Sequence, residues 1–431
     1  MASSSADMVS QPAVFTTQTQ YPLPTQKFMI PTSWKRYQLS QLVNKALALD
    51  KPIPFDFLVR GELLYTTLAE WCTENGVGEE ETLEIEYIES VMPPQKMTQF
   101  PHEDWVSAVS CEIEGHFITA SYDGQLRAFD YSKNLLSTTA AHTAPITSLS
   151  IVSHEASTYT VATSSQDLTA QLMQIDLTSS SPAQVLTSLH LHTAPVASVS
   201  SNSAGTHLLT VSWDGLIGLW DTTVPTEDEV PEPVLNERDR KKRRKIEAGS
   251  TSKPRRKAPL MVLKSHTARV SKALFAHDAG KAYSCGFDST VRTWDTEHGV
   301  CENTINASEK PFTDFTLTQD GQGAIAVSTD RSMTLFDLRA ASALSAVAAT
   351  FTHPTTPSCV ATCESNWHQV VTGAYDGVVR VWDLRSTKAA MATFKAWDGG
   401  KKVLSVDWRR GVVGVGGEGG LEVWKVGEEN A

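Results

Sequence analysis

The stretch Thr210-Val-Ser-Trp-Asp-Gly-Leu-Ile-Gly-Leu-Trp220-Asp221 decides how this chain is read, because variants of it return at a near-constant interval. Counting from Asp214, Trp220 lies six residues on and Asp221 seven. The same spacing joins Asp123 to Phe129-Asp130, Asp288 to Trp294-Asp295, Asp330 to Phe336-Asp337 and Asp376 to Trp382-Asp383. Two degenerate copies complete the series, Asp167 with Met173-Gln174 and Glu418 with Trp424-Lys425. Successive leading acids stand 44, 47, 74, 42, 46 and 42 residues apart. A period in the low forties, closed by an alternating apolar run and Trp-Asp, is the pattern of a small antiparallel sheet that buries its faces only against copies of itself.

On these residues the repeats resemble the WD-repeat family, which implies a seven-bladed β-propeller over about residues 100–431. The chain stops too soon after Trp424 to supply the seventh blade's outer strand. Roughly Gln95 to Phe100, within a short linker at 91–99 that contains Pro93-Pro94, is expected to supply it by edge pairing. His-containing openings precede five of the acids by 21 to 25 residues, at His102, His142, His192, His266 and His353. The fifth and seventh repeats open without one, at Ser308-Glu-Lys-Pro and Ala396-Trp-Asp.

Composition bounds the rest. The chain has 431 residues, 41% apolar and 20% charged, with no run of about 18 apolar residues and no basic-then-apolar leader. Six scattered cysteines without metal-ligand spacing argue for a reducing compartment and against a zinc site. Net charge is −12, yet residues 238–257 alone carry about +9, which leaves an acidic body that repels naked nucleic acid.

Residues 1–12 are Ser-rich and are expected to be disordered. From 13 to 90 a smaller module follows: strands at Val14–Thr19 and Lys27–Ile30, then a helix whose Leu39, Leu42, Val43, Ala46 and Leu47 form one apolar stripe. Phe55–Val59, Glu62–Tyr65, a helical turn around Leu68–Cys72 and the alternating Leu83, Ile85 and Tyr87 complete it. That order predicts a β-grasp, the ubiquitin-like fold; the alternative is a plain N-terminal cap on the propeller. The 74-residue step holds an insertion at about 222–259, Pro-rich and charged, which is expected to be a disordered loop.

Three sets of residues could carry function. Tyr122, Trp213, Phe287 and Tyr375 each precede a repeat acid, at a hairpin on one rim; they either bind a protein partner or pack against neighbouring blades. Arg240, Lys241, Lys242, Arg243, Arg244 and Lys245, with Lys253, Arg255, Arg256 and Lys257, have the form of a two-part nuclear import signal, set against a solvated charge run or an RNA contact. Glu79, Glu80 and Glu81 crowd the loop before the last β-grasp strand; such a run is ordinarily solvated, but one exposed carboxylate can complete the shell of a divalent ion held by a partner. His192, Ser212 and Asp214 invite a catalytic reading. Repetition of the trio at His102, Ser121 and Asp123 points instead to hydrogen-bond networks within blades. No nucleophile, phosphate loop, cofactor site or metal site of the chain's own is expected, so an enzyme is not.

A ubiquitin-like module directly before a seven-bladed propeller, with Phe55-Asp-Phe-Leu-Val-Arg-Gly61 and Glu84-Ile-Glu-Tyr-Ile88, resembles the Notchless-like group of ribosome assembly factors. Phe100-Pro-His-Glu-Asp-Trp-Val106 and the basic insertion before Leu260 look most like the branch that gives the PeBoW complex its WD-repeat subunit. The resemblance implies work on precursors of the large (60S) ribosomal subunit, in the nucleolus and nucleoplasm, beside Pescadillo and a second WD-repeat scaffold. It also implies a Glu offered to the metal-ion-dependent adhesion site of the ATPase midasin, which falls on Glu80 with Glu79 and Glu81 as fallbacks. The competing expectation is a substrate adaptor in ubiquitin-linked degradation.

Overall fold

The computed structural model describes residues 9–49, 51–78, 80–155, 158–178, 182–231, 254–277, 280–306, 309–340 and 343–427. Two compact units divide the chain, one built on residues up to Pro93 together with Trp382–Ala392, the other on Pro94–Val381 and Thr393–Glu429.

The first unit contains the β-grasp. Strands β1 (Ser10–Thr16), β2 (Lys27–Pro31), β3 (Phe55–Val59), β4 (Glu62–Leu63) and β5 (Leu83–Glu89) form one sheet in the order β2-β1-β5-β3-β4. β1 and β5 run parallel and the other pairs antiparallel. Helix α1 (Arg36–Leu47) buries Leu39 and Val43 from the predicted stripe. Helix α2 (Leu68–Glu74) starts at a capping box in which the Thr67 hydroxyl accepts from the Glu70 N–H and the Glu70 carboxylate accepts from the Thr67 N–H. Phe15, Phe55, Phe57, Trp71, Ile85 and Tyr87 fill the space between sheet and helices.

One sequence expectation fails here. The first strand begins at Ser10, not Val14, inside the Ser-rich stretch expected to be disordered to residue 12. Gln11 explains it: its side chain is 1% exposed and donates to the carbonyls of Gly78 (2.8 Å) and Glu81 (2.6 Å), so a polar residue in a Ser-rich stretch is a buried anchor.

Among the described residues the second unit holds seven further sheets, six of four strands and one of five, antiparallel except for one edge pair. Their inner strands, Val106–Ser110, Ile146–Glu155, Val196–Ser201, Val270–Phe275, Phe312–Leu317, Pro357–Thr362 and Val403–Arg409, touch one another in cyclic order, the last against the first. The sheets therefore close a ring, the seven-bladed propeller that the repeat period predicts. The seventh blade takes its outer strand from ahead of the first: Gln95–Phe100 pairs with Gly420–Lys425, from Phe100 opposite Leu421 to Gln95 opposite Lys425. Phe100 lies 2% exposed against Phe117 and Phe129 of the first blade.

Blades are also stitched by hydroxyls. The second residue of an inner strand donates to the first carbonyl of the next: Thr147 to Val196 (2.7 Å), Ser271 to Phe312 (2.6 Å), Thr313 to Pro357 (3.2 Å) and Ser358 to Val403 (2.6 Å). Each bond crosses from one blade to the next and gives a main-chain carbonyl a side-chain donor.

The insertion departs from expectation at its far end. Arg255–Lys257 is a strand, paired parallel to the second blade's outer strand Gln184–His190 with Thr187 opposite Arg255 and Leu189 opposite Lys257. Arg256 donates from its N–H to Asp228 Oδ1 (2.9 Å) and from its guanidinium to the Pro231 carbonyl (3.1 Å). The Lys257 ammonium is 2% exposed and donates to the Asp221 carboxylate and to the Thr223 carbonyl and hydroxyl. Charge without apolar periodicity concealed this strand, because sheet-edge hydrogen bonds and one buried ion pair hold it.

Candidate functional site

The catalytic-looking trio resolves into structure. His192 Nδ1 is 3.2 Å from Asp214 Oδ2 and its Nε2 is 2.8 Å from Thr210 Oγ1, while Trp220 Nε1 donates to the same hydroxyl at 2.9 Å. Burial holds the His192 imidazole below its ordinary pKa, hence neutral near pH 7. An indole only donates and a carboxylate only accepts, so the proton sits on Nδ1 and the Thr210 hydroxyl donates to Nε2. The relay repeats at His266, Asp288, Ser284 and Trp294 with separations of 2.8, 2.7 and 2.8 Å. Ser212, the expected third member, instead donates to the carbonyls of Ala194 and Pro195. In blade one Ser121 does donate to the Asp123 carboxylate, whereas His102 reaches the Thr119 hydroxyl at 2.9 Å and the Phe100 carbonyl at 3.0 Å. The hydroxyl in the network lies two residues earlier than expected, on the same face of its strand.

A cavity of about 360 Å³ lies among the inner strands, bordered by Lys272, Asp314, Cys359, Asp407 and Arg409. Lys272 Nζ is 2.8 Å from Asp314 Oδ1, and Asp314 Oδ2 accepts from the Val360 N–H at 2.8 Å. Burial pushes the Cys359 thiol up to about 12, which removes it as a nucleophile near neutral pH. Among the described residues no group of three His, Cys, Asp or Glu side chains could hold a metal, and no helix is long and apolar enough to cross a membrane.

The rim is built with a regularity the repeat acids only half reveal. In six blades the residue before the repeat acid, and in the seventh the acid Glu418 itself, donates its N–H to the carbonyl of the residue just ahead of the inner strand. The pairs are Tyr122 to Trp105, Gln166 to Pro145, Trp213 to Pro195, Phe287 to Arg269, Thr329 to Pro311, Tyr375 to Thr356 and Glu418 to Lys402. Trp213 and Tyr375 are 46% and 43% exposed, and Tyr122 and Phe287 are half-buried. Burial raises the hydroxyl pKa of both Tyr122 and Tyr375. The pairing brings in three residues that sequence reading missed. Trp105 lies 5.8 Å from Tyr122, Lys402 lies 5.8 Å over Trp105, and the Arg269 guanidinium lies 4.1 Å over Phe287 and 5.2 Å over Trp213. Their signal is positional, one residue before each Val that opens an inner strand.

In the β-grasp, the Glu81 N–H donates to the Gly78 carbonyl at 3.2 Å, a tight turn that carries Glu80. Glu80 is exposed, whereas the Glu81 carboxylate is ion-paired with Arg60. Glu79 lies outside the described residues. Gln11 grips the carbonyls at both ends of the turn. Of the basic residues, Arg240, Lys241, Lys242, Arg243, Arg244, Lys245 and Lys253 lie outside the described residues. Arg256 and Lys257 are buried, at 5% and 2% exposure, which contradicts a freely readable second half of an import signal.

The chain matches the NLE (NUC135) domain family over residues 12–72 and the WD domain, G-beta repeat, at 94–130, 183–221, 257–295 and 346–383. It is 68% identical to a protein of Laccaria bicolor named Ribosome biogenesis protein YTM1, covering 99% of this chain and 97% of that one. The chain belongs to the YTM1 family of ribosome biogenesis proteins. The namesake of Coprinopsis cinerea is 64% identical over 99% of the chain and 97% of its own length. The Saccharomyces cerevisiae YTM1 is 33% identical over 92% of each. The four matched repeats are blades one, three, four and six of this YTM1-family chain. Blades two, five and seven lack the Trp of the repeat or its opening His, and they form their sheets nonetheless.

Proposed function

We propose that this chain is a non-catalytic scaffold and assembly factor for the large (60S) ribosomal subunit. It acts in pre-rRNA processing and pre-ribosome maturation within a PeBoW-like complex, in the nucleus, nucleolus and nucleoplasm. The propeller holds Pescadillo and the second WD-repeat scaffold, needing no cofactor and no metal of its own. What carries this reading is similarity to ribosome biogenesis proteins along nearly the whole chain, 99% of it at 68% identity. The engaged His networks, the high-pKa Cys359 thiol and the exposed aromatic rim support a binding rather than a catalytic role.

In this reading Glu80 is a metal ligand in trans, completing the ion held at the adhesion site of midasin so that the ATPase can draw the factor off the particle. Mg²⁺ binds oxygen ligands at short range, and an exposed carboxylate on a braced turn is pre-oriented for that position. Its neighbour Glu81 is less suited, because binding would first break the pair with Arg60. Nuclear entry rests on the cluster 240–245. The test of the release mechanism is Glu80→Ala in the full chain: pre-60S association persists while ATP-dependent release by midasin fails. Release at the wild-type rate would overturn the assignment.

A further inference from the structure

We propose that Arg269, lying over Phe287 and Trp213, is the anchor by which the rim of blades three and four grips an acidic side chain of a protein partner. The proposal rests on the reading of the propeller as a partner-holding scaffold and names the chemistry of one contact in it.

The guanidinium lies 4.1 Å over Phe287, in its own blade, and 5.2 Å over Trp213, in the blade before. Stacking engages the face of a guanidinium but leaves its in-plane N–H donors aimed outward. Five such donors match a carboxylate with two parallel hydrogen bonds, and among the described residues no carboxylate lies within ion-pair distance of Arg269. The repeat acids of blades three and four are taken: Asp214 is bound to His192 and Asp288 to His266, and both side chains are buried. Arg269 is exposed, as is Trp213 beside it.

The second aromatic–cation node on this rim provides the contrast. There Lys402 lies over Trp105, but its ammonium is 3.6 Å from Glu418 and so already has an acid. The rim thus presents one stacked cation with its own acid and one without. A cation lying over two rings, one of them a half-exposed Trp, fits an Asp or Glu flanked by an apolar side chain. Rigid aromatic and Arg anchors of this kind carry a large share of binding energy where they occur.

The experiment uses the full-length chain and the two proposed scaffold partners, with a photo-crosslinking residue in place of Trp213. Crosslinks are expected within a few residues of a partner Asp or Glu. Arg269→Glu is expected to weaken the complex roughly tenfold or more, Arg269→Lys less, and replacing the crosslinked acid by Arg to restore binding to the Arg269→Glu chain. Wild-type binding by both Arg269→Glu and Arg269→Ala, with the complex intact, would overturn this inference and leave the scaffold reading standing. Failure of the wild-type chain to bind either partner would sink the scaffold reading, and the inference with it. Loss of binding on phosphatase treatment of the partner would make the ligand a phosphate and overturn the carboxylate. A melting temperature lowered by several degrees in Arg269→Glu would assign the residue to packing instead.

Discussion

His353 shows what a single side chain contributes to the ring. It is 2% exposed, with Nε2 3.0 Å from Thr372 Oγ1, and burial together with the nearby Arg380 cation lowers its pKa to about 4. The unfolded chain takes up a proton near the ordinary value of 6.5 that the folded chain refuses until about pH 4. Stability contributed by this residue is therefore complete above about pH 6.5 and is lost as pH falls through the window to about 4. Between pH 7 and pH 5 the loss is about 2 kcal/mol at most. Replacing His353 by Asn should lower stability at pH 7 yet flatten the pH dependence, read as urea midpoints at the two pH values. An unchanged slope would show that the imidazole does not titrate as its burial dictates. The relay around His192 teaches a related lesson about reading residues. Sequence shows which types recur, but His192, Ser212 and Asp214 were grouped by proximity in the chain. The pleat decides which hydroxyl faces the ring, and that is Thr210.

At the scale of elements, the strand Arg255–Lys257 joins two blades, because it leaves the third blade's sheet and pairs with the edge of the second. Lys257→Met should cost about 1–3 kcal/mol by stranding the Asp221 carboxylate, seen as a lower melting temperature. Nuclear accumulation of a fluorescent fusion should be unchanged in that variant and should fall when 240–245 are replaced by Ala. A Lys257 variant excluded from the nucleus while fully folded would restore the two-part signal. The sequence made the β-grasp strand Phe55–Val59 and the blades legible, since a short apolar run and the Trp-Asp closure are carried by side chains. It concealed the basic strand, the early start of β1 and the interblade hydroxyls, which are settled by backbone groups in need of partners. The seventh blade is an intermediate case. Trp397 stands where other blades open with His and is 4% exposed. A Cβ on Gly419 would come within 2.3 Å of its ring, and one on Gly417 within 2.8 Å, so the glycine run exists to admit an indole.

For the molecule, the repeat count and the ring depend on one clasp. Phe100 closes the seventh sheet and packs on the first blade's Phe117 and Phe129, with ring centroids 5.9 and 4.8 Å away. Phe100→Ala should therefore cost about 3–5 kcal/mol, as for a buried aromatic elsewhere. It should also expose the blade-seven edge, detectable as early proteolysis near 420–425 and as self-association on a sizing column. Equal stability without either change would show that the ring closes by other means. The arrangement has a consequence for synthesis. Residues 95–100 leave the ribosome long before 420–425, so this propeller spends most of its translation as an open arc with an unpaired margin at each side. Its final shape is reached only when the late strand emerges to meet the early one, so the nascent chain carries unpaired strand edges until residues 420–425 are made.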